Sequence, residues 1–320
     1  MAKILVTGGA GFIGSHQAER LLARGDEVWV IDDLSTGSID NVRGLEGNPG
    51  FHLTVDTVLD DKVLASLMAK VDRVYHLAAA VGVKYIIDNP LHSLQVNLRG
   101  TENVLELANR GQQQVLVAST SEIYGKNEKV PFREDDDRLL GSTTISRWSY
   151  SCSKAIDEFL ALAYHREKRL PVVIVRFFNT CGPRQSERYG MVIPRLVCQA
   201  LKGEPLTVFG DGGQTRSFTF VSDVIDGITA LMAETRAIGQ IFNIGNDRAI
   251  SIRELAEMVI AKTGSRSRIE LIPYERAYAK GFEDMRHRVP DLGKIRALTG
   301  FAPRVQIEEI VDSVIAYYRQ

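Results

Sequence analysis

Short apolar runs rich in β-branched residues alternate with longer segments of helical periodicity through the first half of the chain. The short runs predict strands, which we place at Lys3–Thr7, Glu27–Ile31, Phe51–Val55, Arg73–Leu77, Val115–Ser119 and Val172–Phe178. The longer segments predict helices, which we place at Ile13–Arg24, Asp61–Ala69, Leu91–Asn109 and Ser149–Lys168. Strand–helix alternation requires crossover connections, so we predict an α/β fold with a doubly wound parallel sheet.

The pattern changes after residue 178, where shorter units carry more glycine and proline. Helical periodicity returns in four segments, at Val192–Leu201, Val224–Glu234, Ile252–Thr263 and Ile307–Tyr318. We therefore predict a first domain over residues 1–178 and a smaller, mixed domain over residues 179–320. The boundary is blurred, and segments of the second domain can return to the first.

Composition excludes several classes of protein. Of 320 residues, 44% are apolar and 25% charged, and 39 basic against 40 acidic side chains give a formal charge of −1, so we expect no nucleic-acid or membrane partner. No apolar run approaches the roughly 18 residues that span a bilayer. Three cysteines without CxxC spacing argue against a zinc site, and we expect no metal. The opening MAKILVTGG has no signal-peptide profile, which predicts a cytoplasmic protein.

A glycine-rich turn joins the first predicted strand to the first predicted helix. Gly8, Gly9, Gly11 and Gly14 satisfy both G-x-G-x-x-G and G-x-x-G-x-x-G, the spacing that lets a backbone approach a pyrophosphate at a helix N-terminus. Asp32 ends the second strand, where a ribose-binding carboxylate belongs. An acid there repels a 2′-phosphate, so the pattern favours NAD over NADP. The competing interpretation is a simple glycine turn and an unrelated acid at a strand end.

A hydroxyl, a phenol and an amine are predicted to meet at the carboxyl end of the sheet. Tyr150 and Lys154 share one face of a helix, and Thr120 follows the fifth strand. This set suits removal of a proton from an alcohol while hydride leaves its carbon. A phenolate at neutral pH requires a pKa lowered by about three units, roughly 4 kcal/mol, which Lys154 and a nicotinamide ring are expected to supply. Alone, a Tyr-x-x-x-Lys pair is usually a surface feature.

Several motifs together resemble the extended short-chain dehydrogenase/reductase family. They are TGGAGFIGSH, HLAA, STSEIYG, YSCSK, RFFNTCGPR and GEPLTVFGDGGQTRSFTFVSD, in that order over nearly the whole chain. The resemblance implies a Rossmann domain with tightly held NAD and a nucleotide-sugar substrate in the C-terminal domain. It also implies that Thr120, Tyr150 and Lys154 form the catalytic triad, with Lys154 also holding the nicotinamide ribose.

The resemblance extends the predicted cofactor site beyond Gly8, Gly11, Gly14 and Asp32. It adds Phe12 and Ile13 after the glycine turn, and Leu77 and Ala78 in HLAA. Asp56 ends the third predicted strand and has two interpretations: it contacts the adenine edge, or it caps the following helix.

Three residues of the second half match substrate-binding positions of the family. Arg216 in QTRSF resembles the arginine that neutralises the nucleotide diphosphate, a task that suits a bidentate guanidinium. Asn179 in RFFN resembles a diphosphate-contacting asparagine. Phe209 in LTVFG resembles the residue beside the uracil, although without the family an ordinary core phenylalanine is the simpler interpretation. The expected substrate is therefore a UDP-sugar.

Two segments favour one reaction within the family. Ser121-Glu122 stands where 4,6-dehydratases carry Asp-Glu and resembles UDP-glucuronate decarboxylases, as does Arg288 in RVPD. A C4 ketone is β to the C6 carboxylate, so carbon dioxide can leave through an enolate and UDP-xylose results. Arg288 would bind the carboxylate, while Glu122 would position it or handle protons at C5.

The main alternative is a UDP-sugar 4-epimerase, because AAAVGVKYIIDNP resembles epimerases more than decarboxylases. Arg288 also has a plainer interpretation, as a surface or diphosphate-binding arginine. A more distant alternative is a catalytically silent NAD-binding scaffold, although such proteins typically lose a triad member. The two long helices, Leu91–Asn109 and Ser149–Lys168, resemble those that pair across a homodimer in this family, which predicts a homodimer.

Overall fold

The computed structural model describes residues 1–188, 191–277 and 285–320. Its strands are β1 (Lys3–Thr7), β2 (Glu27–Asp32), β3 (Phe51–Val55), β4 (Arg73–His76), β5 (Gln114–Thr120), β6 (Val172–Phe177), β7 (Thr180–Cys181), β8 (Leu206–Phe209), β9 (Thr215–Ser217), β10 (Thr219–Phe220), β11 (Gln240–Ile244), β12 (Ala249–Ser251), β13 (Ile269–Ile272) and β14 (His287–Arg288). Its helices are α1 (Phe12–Ala23), α2 (Asp61–Met68), α3 (Val83–Asp88), α4 (Pro90–Gly111), α5 (Arg147–Lys168), α6 (Val192–Lys202), α7 (Val221–Ala233), α8 (Ile252–Thr263), α9 (Tyr274–Ala277), α10 (Gly293–Thr299) and α11 (Ile307–Tyr318). Short 3₁₀ turns cover Ile39–Asn41, Arg43–Leu45, Ser121–Tyr124 and Thr235–Ala237.

A seven-stranded sheet has the order β3-β2-β1-β4-β5-β6-β11, and its neighbouring strands pair in parallel. The strand order reverses between β1 and β4. In open sheets of this kind, a crevice opens at that switch point outside the carboxyl ends of the strands. The predicted α/β, doubly wound fold is confirmed.

Both faces of the large sheet are covered by helices. Ile4 and Val6 of β1 belong to a core with α1, α7 and α10, whereas Leu5 between them points into a core with α2, α4 and α5. In β6, Val173 and Val172 divide between the two cores in the same way. This arrangement explains why these strands read as continuous apolar runs.

The chain returns to the first sheet from its second half. Strand β11 pairs with β6, and α7 and α10 pack on the same layer as α1. The sequence pattern did not predict β11, because this short strand between two glycines carries the polar Asn243. That side chain is fully buried, accepting a hydrogen bond from the Tyr124 hydroxyl at 2.7 Å and donating one to the Phe132 carbonyl at 2.9 Å.

A smaller unit packs beyond the carboxyl ends of the strands. Helices α6, α8 and α11 surround a separate apolar core that includes Leu206 and Val208 of β8. The parallel pair β8–β13 and the three-stranded sheet β12-β9-β14 complete this unit. In the described ranges, no helix is both long enough and apolar enough to cross a membrane.

Candidate active site

A cavity of about 420 Å³ lies at the carboxyl ends of the central strands and extends into the smaller unit. Its walls include all of the residues that the sequence analysis assigns to a site: Gly8, Gly11, Phe12, Ile13, Gly14, Asp32, Asp56, Leu77, Ala78, Thr120, Glu122, Tyr150, Lys154, Asn179, Phe209, Arg216 and Arg288. The volume is in the range of small-molecule sites in proteins. The fold therefore brings residues more than 250 positions apart in sequence into one cavity.

The glycine turn allows backbone segments to pack closely at the edge of the cavity. Gly8 has φ +69°, and a Cβ there would lie 2.8 Å from the Cα of Ala78. A Cβ at Gly14 would collide with the carbonyl oxygen of Gly8. No side chain of the described chain caps the first turn of α1, so its N–H groups are left to the cavity. This combination fits a pyrophosphate.

Asp32 is fixed beside that turn by two backbone donors. Its carboxylate accepts hydrogen bonds from the amides of Ala10 and Leu34, both at 2.9 Å. Burial raises the pKa of Asp32, and the amides lower it by less. Asp56 also lines the cavity and does not cap the next helix, because Asp60 accepts the amides of the first turn of α2. The capping interpretation of Asp56 is therefore wrong.

Buried hydroxyls hold the HLAA segment against β1. The Thr7 hydroxyl accepts the amide of Ala78 at 3.1 Å and hydrogen-bonds His76 Nδ1 at 2.8 Å. His76 Nε2 hydrogen-bonds the Thr101 hydroxyl of α4 at 3.1 Å. Burial and the nearby Lys154 lower the pKa of His76 to about 3, so its ring is neutral. The wall of the predicted cofactor site is thereby fixed by side chains below it.

The predicted triad lies on β5 and on the first turns of α5. Thr120 ends β5, and its hydroxyl oxygen accepts the amide of Glu122 at 3.2 Å, which leaves the hydroxyl proton to be donated. Tyr150 and Lys154 line the cavity one helical turn apart. Asn97 of α4 supports this helix by donating to the Ser153 hydroxyl at 3.2 Å.

The charges around Tyr150 differ from the expectation. Burial raises the pKa of the Tyr150 phenol, and the carboxylates of Glu122 and Asp157 raise it further, whereas Thr120 and Arg147 lower it by less. The Lys154 ammonium, expected to lower this pKa, donates a hydrogen bond to Asp157 at 2.6 Å and is paired there. The expected lowering combines Lys154 with a nicotinamide ring, and the charges of the chain alone do not produce it.

Three buried charged side chains form a cluster, here called the sugar-end cluster: Glu122, Arg147 and Arg288. Arg147 Nη1 donates to Glu122 Oε2, and Arg288 Nη1 lies 3.6 Å from Glu122 Oε1. Burial alone would raise the pKa of Glu122, but Arg147 and Arg288 outweigh it and lower that pKa. Two guanidinium groups and one carboxylate therefore line the cavity at this wall. Arg288 is not a surface residue, since its side chain is 12% exposed.

Sequence reasoning missed several charged residues of the site, among them Arg147 and Asp157. Arg147 lines the cavity beside Glu122, and Asp157 lies behind Lys154. Both were detectable in principle, because Arg147 stands three residues before Tyr150 and Asp157 three residues after Lys154. On one helix that spacing places side chains on the same face.

The residues predicted for the nucleotide lie on the smaller unit and on its connection to the sheet. Arg216 and Arg288 are register partners on the adjacent strands β9 and β14. Asn179 donates to the Ser217 carbonyl at 2.8 Å. Phe209 is partly exposed in the cavity with the Arg195 guanidinium 4.1 Å from its ring centroid, so it is not a core phenylalanine.

A protein-family model described as GDP-mannose 4,6 dehydratase matches residues 5–314. The chain belongs to this family. The resemblance to the extended short-chain dehydrogenases/reductases is confirmed, and with it the prediction of an enzyme. No three His, Cys, Asp or Glu side chains in the described part of this family member could hold a metal ion.

Relatives of this family member carry names of two related activities. The chain is 42% identical over 319 residues to a UDP-N-acetyl-alpha-D-glucosaminuronate decarboxylase of Bacillus cytotoxicus, covering 99% of this chain and 98% of the relative. It is 37% identical to UDP-glucuronic acid decarboxylase 4 of Arabidopsis thaliana, over 99% of this chain and 69% of the relative.

Among solved structures, the fold is similar to a UDP-glucuronic acid 4-epimerase from Bacillus cereus in complex with UDP-glucuronic acid and NAD. The TM-score is 0.89 at 31% identity, covering 99% of each chain. These relatives agree with the predicted NAD cofactor and UDP-sugar substrate, and their names include both the predicted reaction and its main alternative.

Proposed function

We propose that this chain is an NAD-dependent decarboxylase of UDP-sugars that carry a carboxylate at C6, with UDP-glucuronate as the expected substrate and UDP-xylose as the product. The observation that carries the proposal is the sugar-end cluster. Its two guanidinium groups line the same cavity as Thr120 and Tyr150. A guanidinium group binds a carboxylate through two charge-assisted hydrogen bonds, and a C6 carboxylate is present in a uronate and absent from an uncharged hexose.

The other end of the cavity fits NAD. The glycine turn, the first turn of α1 and Asp32 would hold the pyrophosphate and a ribose, and Asp56, Leu77 and Ala78 line the adjoining wall. When bound, NAD would accept a hydride from C4 of the sugar and later return it. The carboxylate of Asp32 favours NAD over NADP because a 2′-phosphate beside it would be repelled.

The side chains around C4 have distinct tasks in this proposal. Tyr150 removes the proton of the C4 hydroxyl, and the Thr120 hydroxyl hydrogen-bonds the same oxygen. Once C4 is a ketone, the bond between C5 and C6 breaks, carbon dioxide leaves, and its electron pair forms an enolate that Thr120 and Tyr150 stabilise. A proton at C5 and reduction at C4 then give UDP-xylose with no net redox change.

Charged groups orient the leaving carboxylate. Arg288 and Arg147 bind the C6 carboxylate, and Glu122 holds both guanidinium groups in place. The lowered pKa of Glu122 keeps it ionised, so it positions charge and does not donate a proton. Arg216, Asn179 and Phe209 would bind the UDP portion from the smaller unit.

The second candidate is 4-epimerisation of the same uronate, and the similarity to the Bacillus cereus epimerase favours it over epimerisation of neutral sugars. Product NMR separates the candidates. We expect UDP-glucuronate, or its 2-acetamido analogue, to yield carbon dioxide and a UDP-pentose. UDP-galacturonate as the product would contradict decarboxylation and support epimerisation.

The same assay tests for a silent scaffold. Reduced nicotinamide absorbance should appear transiently during turnover, and Tyr150→Phe should abolish it while NAD binding persists. Absence of the signal with uronate and neutral UDP-sugars alike would leave only a scaffold.

We also propose a cytoplasmic homodimer. The outer face of α5 exposes Ile156 by 45% and Phe159 by 62%, and Leu91 at the start of the neighbouring α4 is 69% exposed. Such an apolar surface on two packed helices is suited to pairing with the same surface of a second copy. The expected solution mass is twice the 35.5 kDa of one chain, and a monomer at all concentrations would contradict the proposal.

A further inference from the structure

A buried ion pair lies directly behind the reacting end of α5. Lys154 Nζ donates to Asp157 Oδ2 at 2.6 Å, and their side chains are 2% and 0% exposed. Lys154 lines the cavity together with Tyr150, whereas Asp157 does not. Any influence of Asp157 on the reaction must therefore pass through Lys154 or through its electric field.

The groups facing this pair leave Asp157 as the counter-charge of Lys154. From β4, His76 is neutral, since burial and Lys154 lower its pKa. From α4, Thr101 contributes a hydroxyl, which hydrogen-bonds His76. Burial raises the pKa of Asp157, and Lys154 and Thr101 lower it by less. From α5 itself, Glu158 is taken by Arg176, with its two oxygens each 2.8 Å from a guanidinium nitrogen.

The remaining charges lie on the cavity side of Tyr150. Arg147 of α5 and Glu122 of the adjacent 3₁₀ turn are paired with each other. Their opposite effects on the phenol partly cancel, because Glu122 raises the pKa of Tyr150 and Arg147 lowers it. The pair of Lys154 and Asp157 is thus the second pair of opposite charges that affects the Tyr150 phenol.

We propose that Asp157 is a positioning residue that holds the Lys154 side chain against α5 and offsets its charge at Tyr150, so that it sets the pH below which the enzyme loses activity. The inference depends only on oxidation of a sugar alcohol at Tyr150. It holds for decarboxylation and epimerisation alike, so failure of the proposed reaction leaves it standing.

The direction of the expected shift in the pH profile follows from the charges near Tyr150. An Asp157 carboxylate raises the pKa of Tyr150, and its removal leaves an uncompensated Lys154 ammonium nearby, which lowers that pKa. Because the phenol must accept a proton, the acid limb of the pH profile of kcat then moves to lower pH.

The test compares pH profiles of kcat in the holoenzyme, measured on whichever UDP-sugar is turned over. In Asp157→Asn, we expect the acid limb to move down by roughly one pH unit, so that relative activity below the wild-type limb rises about tenfold. Asp157→Glu should restore the wild-type limb. The matched control is Glu158→Gln, the adjacent buried carboxylate, which should leave the limb in place even where it lowers stability.

An unmoved acid limb in Asp157→Asn, or the same shift in Glu158→Gln, would overturn the proposal. If Asp157→Asn does not fold, Asp157→Ser provides the same loss of charge in a smaller side chain. A measurement independent of activity is the thermal unfolding of Asp157→Asn, Lys154→Met and the double variant. We expect the double variant to lose less Tm than the sum of the single losses, because neither charge is left unpaired; additive losses would contradict the pairing.

Discussion

At the predicted cofactor end of the cavity, the wall includes a glycine turn and an acid held by backbone amides, whereas at the sugar end it includes a cluster of charged side chains. Gly8 and Gly14 allow close backbone packing by lacking a Cβ, and Asp32 accepts hydrogen bonds from backbone amides. At the other end, Glu122 and Arg288 meet from positions far apart in the chain. The first end is a product of local geometry, and the second depends on the tertiary fold.

This difference predicts that the two ends can be damaged separately. The largest effect is expected from Arg288→Gln, which removes one cation of the sugar-end cluster and leaves Glu122 with a single partner. Truncation of one member of a buried charge pair costs about 2–5 kcal/mol. We expect kcat/KM for UDP-glucuronate to fall by at least roughly 100-fold, with NAD affinity unchanged.

Arg286→Gln is the matched control for this change, because Arg286 lies two residues away with its side chain 63% exposed. Its kcat/KM should stay within about twofold of wild type. Equal losses in the two variants, or loss of NAD binding in Arg288→Gln, would show that the ends are not independent.

A smaller effect, on NAD binding at the other end of the cavity, is expected from Gly8→Ala. The new Cβ would meet the Cα of Ala78 at 2.8 Å, in a backbone conformation with φ +69° that alanine rarely adopts. Strain of about 1–3 kcal/mol should weaken NAD binding by roughly 10–100-fold, as measured by calorimetry, while UDP binding at the other end persists.

Gly25→Ala is a control with the same backbone demand and no steric contact, because Gly25 has φ +81° and open space around the added Cβ. It should lower stability slightly and leave NAD affinity intact. A comparable loss of NAD affinity in both variants would show that helix stability, and not the glycine turn itself, determines NAD binding.

The smallest predicted effect is a difference between the two ends of the cavity in how their contribution to stability depends on pH. His76, below the cofactor end, has its pKa lowered to about 3, so its contribution to stability is complete above about 6.5 and is lost as pH falls toward 3. The lowered pKa of Glu122 makes its contribution complete above about 4.5 and loses it only below that pH. Between pH 6.5 and 5, His76 should lower stability by at most about 1.4 kcal/mol per unit, and His16, whose pKa is also lowered by burial, adds to this fall.

Thermal unfolding of His76→Gln should show a flatter dependence on pH in that window than the wild type. The control is His52→Gln, at a partly exposed histidine stacked on Trp29, which should keep the wild-type slope. A wild-type slope in His76→Gln would assign the pH dependence to other groups.

The difference between the two ends of the cavity also explains which features the sequence pattern could predict. Strands β1 and β3 and helices α8 and α11 begin and end at the predicted residues, because apolar period and flanking polar residues are local signals. The glycine turn and Asp32 are also local. Strand β11 was missed because its buried Asn243 breaks the apolar pattern, and its hydrogen bonds reach Tyr124 and Phe132 more than 100 residues away.

Helical spacing places Arg147 and Asp157 on the face of Tyr150 and Lys154, but it does not show that their charges are buried and paired. The packing of α5 against β5 and α4 buries them. The expected effect of Lys154 on Tyr150 therefore did not include the Asp157 carboxylate. A helix pattern shows which residues share a face but not which charges are already neutralised there.

The segment that carries Arg288 is attached on both sides. On one side, strand β14 pairs with β9 of the smaller unit. On the other, the residues after β14 form two hydrogen bonds with Phe132. The Phe132 amide donates to the Val289 carbonyl at 2.8 Å, and the Phe132 carbonyl accepts the Asp291 amide at 2.7 Å. During synthesis on the ribosome, the glycine turn emerges about 280 residues before Arg288. The turn that fits a dinucleotide is therefore made long before the side chain proposed to bind the sugar carboxylate.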